Sequence, residues 1–277
     1  MYEKWKGVHT RCAFNMIQEL IPLTRPRTLA ATLGPTILGA AFSYYAFGAA
    51  QGTGLAIFHT MLIFLAVVTA QIVANLWNEY KDFKSGLDAG QKVGNAGSIT
   101  RGVITPELII TMIKVLMFVP IIIGLYLSAT ITWYYIPVGF LCILISFLYS
   151  GGPKPISRTP FGEISSGIAM GFAIVLITGY AWIRELSLAL LIPAIPSTLL
   201  VGSIMLTNNI RDIRNDESHG RHTLPIVLGR ERALSLMSIS YIFNFIWIIA
   251  WIIVSHMTWF ALLAFLAAPL AFKTIQD

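Results

Sequence analysis

Apolar stretches of about 20 residues, the length a helix rising 1.5 Å per residue needs to cross a hydrocarbon core roughly 30 Å thick, recur along almost this whole chain. Eight can be read, at about 28–48, 55–78, 107–129, 132–150, 162–183, 187–209, 233–254 and 256–273. They predict an all-α fold, a polytopic transmembrane helical bundle. Composition agrees: 12% of the residues are charged, against about a quarter in soluble domains. A lipid bilayer is therefore the first partner the chain requires.

Lysine and arginine placement predicts the orientation, because cytoplasmic loops carry the excess of these residues. Lys4, Lys6, Arg11, Arg25 and Arg27 precede the first stretch, and Lys81, Lys84, Lys92 and Arg101 follow the second. Lys154 and Arg158 follow the fourth; Arg211, Arg214, Arg221, Arg230 and Arg232 follow the sixth. The opposite side holds only Arg184, so both termini are expected in the cytoplasm. The net charge of +6 is spread over these loops instead of forming one stripe, which argues against a nucleic-acid partner.

Residues 1–27 read as an N-terminal cytoplasmic or interfacial arm without a cleavable signal. Phe14, Ile17 and Ile21 have the spacing of a short surface helix, although a solvated arm fits equally. Residues 28–277 form a single transmembrane domain, in which four spans followed by four more suggest a pseudo-duplicated bundle. Cys12 and Cys142 read as free thiols.

Two inner loops, 79–106 and 210–232, are longer than a helix connection needs, and both carry carboxylates. In the first cluster Asn75, Glu79 and Asp82 stand at i, i+4 and i+7, on one helix face, with Asn78 beside them. In the second, Asn208, Asp212 and Asp216 form a matching stripe. Each lies at the negative end of its helix dipole. A carboxylate at membrane depth costs about 2.5 to 3.5 kcal/mol on insertion scales, so it calls for a positive partner. Oxygen ligands of this kind suit Mg2+, which takes one or two carboxylates and completes its sphere with water and substrate phosphate. Two such stripes facing each other are expected to hold a diphosphate between metal ions. The plainer reading makes them helix-ending residues paired with Arg211, Arg214 or Lys81.

Four segments carry a resemblance: Arg25 to Pro35 (RPRTLAATLGP), Asn75 to Asp88 (NLWNEYKDFKSGLD), Tyr149 to Glu163 (YSGGPKPISRTPFGE) and Asn208 to Leu228 (NNIRDIRNDESHGRHTLPIVL). Together they resemble the UbiA superfamily of intramembrane prenyltransferases, and within it the 1,4-dihydroxy-2-naphthoate polyprenyltransferases of menaquinone biosynthesis. Two departures stand out. Glu79 occupies a position where that branch usually shows Asp, and eight spans are read before Asp277 where the family usually has nine.

The resemblance implies an enzyme in which an allylic polyprenyl diphosphate ionises and an electron-rich ring attacks the carbocation. It implies Mg2+ held by Asn75, Glu79, Asp82, Asp212 and Asp216, with Asn78 and Asn208 orienting or ligating and Asp88 a weaker candidate. Diphosphate contacts are expected from Arg211, Lys84 and Arg101, then Lys154 and Arg221, each of which also fits an ordinary inner-face anchor. The Gly-rich stretch 94–102 reads as a lid or as a merely flexible loop. Tyr149 shapes the pocket or stabilises the cation through its ring face, unless it is a simple interfacial aromatic, and Trp77 has the same two readings.

With 1,4-dihydroxy-2-naphthoate as the aromatic acid acceptor, the ring carboxylate leaves as CO2 and demethylmenaquinol forms. Other acceptors, such as 4-hydroxybenzoate, stay open. So do a homologue that binds prenyl diphosphate without turnover and a non-enzymatic transporter or ion-binding protein, although a transporter site tends to lie nearer the bilayer midplane. The histidines His59, His219, His222 and His256 lack zinc-type spacing, and no sequence motif supports an ATP, NAD or serine mechanism.

Overall fold

The computed structural model describes residues 20–86, 98–102, 104–255 and 259–276. The 11–19 part of the expected surface helix, Cys12, Asp88, Lys92, residues 94–97 of the Gly-rich stretch and His256 lie outside the described residues. All regular structure among the described residues is helical. The principal helices are α1 (Ala30–Phe47), α2 (Thr53–Ser85), α3 (Pro106–Thr130), α4 (Tyr135–Ser150) and α5 (Gly162–Ile183). They are followed by α6 (Leu191–Arg211), the short α7 (Ile213–Ser218) and α8 (Leu224–Leu228), then α9 (Arg230–Ser255) and α10 (Ala268–Gln276).

Five helical segments among the described residues are long and apolar enough to cross a membrane: α2, α3, α5, α6 with its lead-in from Leu188, and α9 as far as Val254. The segments α4 and Ala261–Ile275 are apolar but shorter. On α9, Ile239, Ile242, Ile246, Ile249 and Ile253 are all exposed. They recur at three- and four-residue steps, the pattern of one helix face. So large an apolar face marks a membrane or protein contact, and on a helix of this length it suits hydrocarbon.

The chain divides into two compact units. Unit 1 comprises the residues up to Leu33 together with Met61–Pro155; unit 2 comprises Gly34–Thr60 and the chain from Ile156 onward. In unit 1 the core packs Val73 and Leu76 of α2 against Ile109 and Ile113 of α3, with Leu23, Ile99 and Ile104 closing it from the connecting segments. Polar side chains are bonded within this unit. The Gln71 amide donates to the Thr28 carbonyl at 2.8 Å, and Thr32 donates to Gln71 Oε1 at 3.0 Å, as burial away from water demands.

In unit 2, α5 lies directly on α6. A Cβ at Gly171 would stand 2.6 Å from the Ser197 carbonyl oxygen, and one at Gly167 2.6 Å from that of Thr198. Only glycine permits this approach. The same stretch of α5, Gly167–Phe172, is wound as a π-helix, a local widening found mostly at functional sites. At the far end of α5, Arg184 takes a left-handed conformation and its guanidinium donates to Gln51. Gln51 in turn donates to the Ala181 carbonyl and meets buried His59 at 3.4 Å.

Candidate active site

The first stripe is built as its spacing predicts, because α2 continues without a break to Ser85 and carries Asn75, Glu79 and Asp82 on one helix. The Asn75 amide nitrogen donates to the Thr24 carbonyl at 3.0 Å. Glu79 is 1% exposed, and its Oε1 accepts the Ser98 backbone N–H at 2.8 Å. Asp82 is half-buried one turn further on, while Lys84 is exposed near the helix end. Arg101 is exposed as well, and donates to Ser98 Oγ at 3.3 Å.

Around this stripe α4 packs closely against α2. Ser150 Oγ donates to Asn78 Oδ1 at 2.9 Å, and the Trp77 indole N–H donates to the Phe147 carbonyl at 3.0 Å. The Trp77 ring also stacks on Tyr80 and carries Lys81 Nζ above it at 5.4 Å, within cation–π reach. Trp77 is thus a packing residue of unit 1. A Cβ on Gly151 would stand 2.9 Å from Trp77 Nε1, which explains one glycine of the Tyr149 to Glu163 motif. Tyr149 is half-buried and Lys154 exposed in the same unit.

The second stripe is not the unbroken helix that its spacing predicts. α6 ends at Arg211, Asp212 adopts φ −96°, ψ 8°, and α7 starts at Ile213. The i→i+4 ladder nevertheless passes through the break, since Asp212 N–H donates to Asn208 O at 3.1 Å and Asp216 N–H to Asp212 O at 2.9 Å. Both carboxylates have arginine partners. Arg211 makes two 3.0 Å bonds to Asp212, and Arg221 Nη1 lies 3.2 Å from Asp216 Oδ1. The pairs differ in setting: side-chain exposure is 70% and 45% in the first but 14% and 4% in the second.

Unit 2 adds a carboxylate to which the sequence pattern gives no role. Glu163, at the start of α5, is 6% exposed; its Oε1 accepts the Asn209 amide at 2.9 Å, and its Oε2 is buried without a hydrogen-bond partner among the described residues. Asp216 is near enough for the two charges to interact. One sequence signal points to Glu163: it is the only carboxylate between Tyr149 and the long apolar run that follows it.

A match to the UbiA prenyltransferase family covers residues 33–276. The chain belongs to that family. Like other members it is an integral, multi-pass membrane protein, and it is an aromatic prenyltransferase. It is 36% identical over 269 residues to the 1,4-dihydroxy-2-naphthoate octaprenyltransferase of Bacillus subtilis (strain 168), covering 95% of this chain and 82% of that one. Its fold matches an apo UbiA homolog from Aeropyrum pernix K1 with a TM-score of 0.66, at 19% identity over 91% of this chain and 86% of the other. It also matches a UbiA homolog from Archaeoglobus fulgidus bound to GPP and Mg2+, with a TM-score of 0.62 at 17% identity over 93% and 84%.

In this UbiA-family prenyltransferase the donor set suits a hard cation, although among the described residues no three His, Cys, Asp or Glu side chains form a ready-made cluster. Mg2+ commonly takes only one or two carboxylates and fills the rest of its sphere with water and substrate phosphate. In unit 1 the Asn75 amide nitrogen is engaged by the Thr24 carbonyl, and in unit 2 the exposed Arg211 holds Asp212 only weakly.

Proposed function

We propose that the chain transfers a polyprenyl group from polyprenyl diphosphate to 1,4-dihydroxy-2-naphthoate, releasing CO2 and giving demethylmenaquinol. The similarity to the Bacillus subtilis enzyme along 95% of the chain carries this reading. The naphthoate is favoured over 4-hydroxybenzoate by the same relative. Residues 28–277 act as one prenyltransferase domain of eight spans behind the 1–27 arm, with both termini and the active site on the cytoplasmic face of a bacterial-type cell membrane, as the lysine and arginine distribution supports.

Asn75 and Asp82 in unit 1, and Asn208, Asp212 and Asp216 in unit 2, are the residues proposed to hold Mg2+. Bound there, Mg2+ supplies positive charge to the leaving oxygens as the allylic bond opens. Lys84, Arg101 and Lys154 are exposed cations suited to binding the diphosphate. Arg211, exposed beside Asp212, would be free to pair with a phosphate oxygen once a metal took its place, whereas Arg221 holds Asp216 in position. Asn78, held by Ser150, orients the first stripe, and Tyr149 offers its ring to the cation.

The test is incubation of the purified protein in detergent with Mg2+, a radiolabelled polyprenyl diphosphate and a panel of aromatic acids. Label is expected in a decarboxylated naphthoate product and should vanish with EDTA. Preference for 4-hydroxybenzoate would replace the acceptor, and conversion of no acid at all would remove the enzyme reading.

A further inference from the structure

Glu79 is the most deeply buried carboxylate of the first stripe, and one of its oxygens is committed to a backbone amide. Its Oε1 accepts the Ser98 N–H at 2.8 Å, and Ser98, like Glu79, is 1% exposed. A buried backbone N–H must find a partner, so this bond is not one that a passing ion displaces without cost.

Backbone bonds shape the segment that this contact holds. Gly102 N–H donates to Ile99 O at 2.9 Å and Ile104 N–H to Ser98 O at 3.4 Å, closing a compact turn. Ile99 and Ile104 plug that turn into the core beside Leu76 and Val73 of α2. Arg101 projects from its exposed side, and the guanidinium donates to the hydroxyl of the same Ser98 that Glu79 anchors. Glu79 and Arg101 thus grip one serine from its amide and its hydroxyl.

We propose that Glu79 is a positioning residue that fastens the Ser98–Arg101 turn to α2 and thereby aims the Arg101 guanidinium at the prenyl diphosphate, instead of serving as an Mg2+ ligand. This rests on the prenyl-transfer reading for the identity of the anion, but the fastening itself does not. The glutamate arm matters: removing one methylene withdraws the carboxylate from the Ser98 amide, while replacing the acid by its amide leaves an oxygen at the same reach.

The two conservative variants therefore separate the roles. Hydrogen exchange of the backbone amides in 98–104 is measured on the full chain in detergent, without substrate, for wild type, Glu79→Gln and Glu79→Asp. KM for polyprenyl diphosphate and the half-saturating Mg2+ concentration are measured alongside. Glu79→Gln is expected to exchange like wild type and to keep both constants within about twofold. Glu79→Asp should exchange faster in 98–104 and raise KM for the diphosphate about fivefold, the scale of one lost hydrogen bond, at unchanged Mg2+ requirement. Arg101→Ala should reproduce the KM change with exchange unaltered.

The opposite pattern overturns the proposal: a wild-type Glu79→Asp together with a Glu79→Gln whose Mg2+ requirement rises. Unchanged exchange in Glu79→Asp overturns it as well. Because exchange is read without substrate, it decides the fastening even if wild type transfers no prenyl group, an outcome that would count against the enzyme reading alone.

Discussion

The two asparagine–carboxylate stripes read alike in sequence and are built differently. In unit 1 the stripe lies on one continuous helix, and its buried acid, Glu79, is satisfied by a backbone amide. In unit 2 the helix breaks at Asp212, and each acid is met by an arginine. For buried Glu79 and buried Asp216 alike, the partner meets the requirement that a buried charge be paired or hydrogen-bonded. An amide partner fixes a loop, whereas an arginine partner balances a charge that a divalent cation can take over. On the reading proposed above, the arginine-paired acids of unit 2 suit metal exchange, and Glu79 of unit 1 suits holding the Ser98–Arg101 turn in place.

The largest effect expected from breaking this comparison is on turnover. Asp82→Ala and Asp212→Ala should each lower the rate more than about 100-fold, the scale for losing one preorganised group that stabilises transition-state charge. Both variants should still insert into membranes, because both side chains are only half-buried. Rates near wild type in either, measured with the same labelled diphosphate, would withdraw that residue from the metal set.

Next comes Arg221→Met, which removes the guanidinium that lies 3.2 Å from buried Asp216. Breaking a buried pair from one side costs about 3 to 5 kcal/mol, so the melting temperature in detergent should drop sharply. Added Mg2+ should recover part of the loss if the Asp216 carboxylate is open to the ion. No recovery would remove Asp216 from the ligands and leave it a structural partner of Arg221.

The difference between the units shows what a sequence can and cannot disclose. Apolar length and helical spacing are local, so the all-α class, the long spans and the acids of both stripes are legible directly. The break at Asp212 is not, because IRNDES keeps helical spacing and the chain departs from a helix by one residue's dihedral angles. Glu163 escapes for another reason: it meets Asn209 only because Gly167 and Gly171 let α5 lie on α6, a contact between segments 46 positions apart. The Gln51, His59 and Arg184 group is hidden in the same way, with 133 positions between its outer members. Ser98 as the partner of Glu79 likewise requires a turn whose closure no pattern announces.

A smaller effect is expected at the α2–α4 contact that frames the first stripe. Gly151→Ala places a methyl 2.8 Å from the Phe147 carbonyl and 2.9 Å from Trp77 Nε1. Overpacking of this kind costs about 1 to 3 kcal/mol, and relief by moving Trp77 would strain its bond to Phe147. Lowered thermal stability with a shifted tryptophan emission would report that movement. An unchanged melting temperature would mean that the helices part more easily than their spacing implies.

The smallest stability effect should come from Arg211→Ala, and its size sharpens the contrast with Arg221. The Arg211–Asp212 pair joins sequence neighbours, with 70% and 45% of their side-chain surfaces exposed. Exposed pairs contribute about 0 to 1 kcal/mol, because water already screens both charges. The melting temperature should accordingly change little. If Arg211 moves from Asp212 to the diphosphate, however, its loss should weaken substrate binding while freeing Asp212 for Mg2+, so KM for the prenyl diphosphate should rise as the Mg2+ requirement falls. Both constants rising together would place Arg211 among residues that organise the metal, and neither moving would leave it an ordinary membrane-interface arginine, the role its position at a span end would give any arginine.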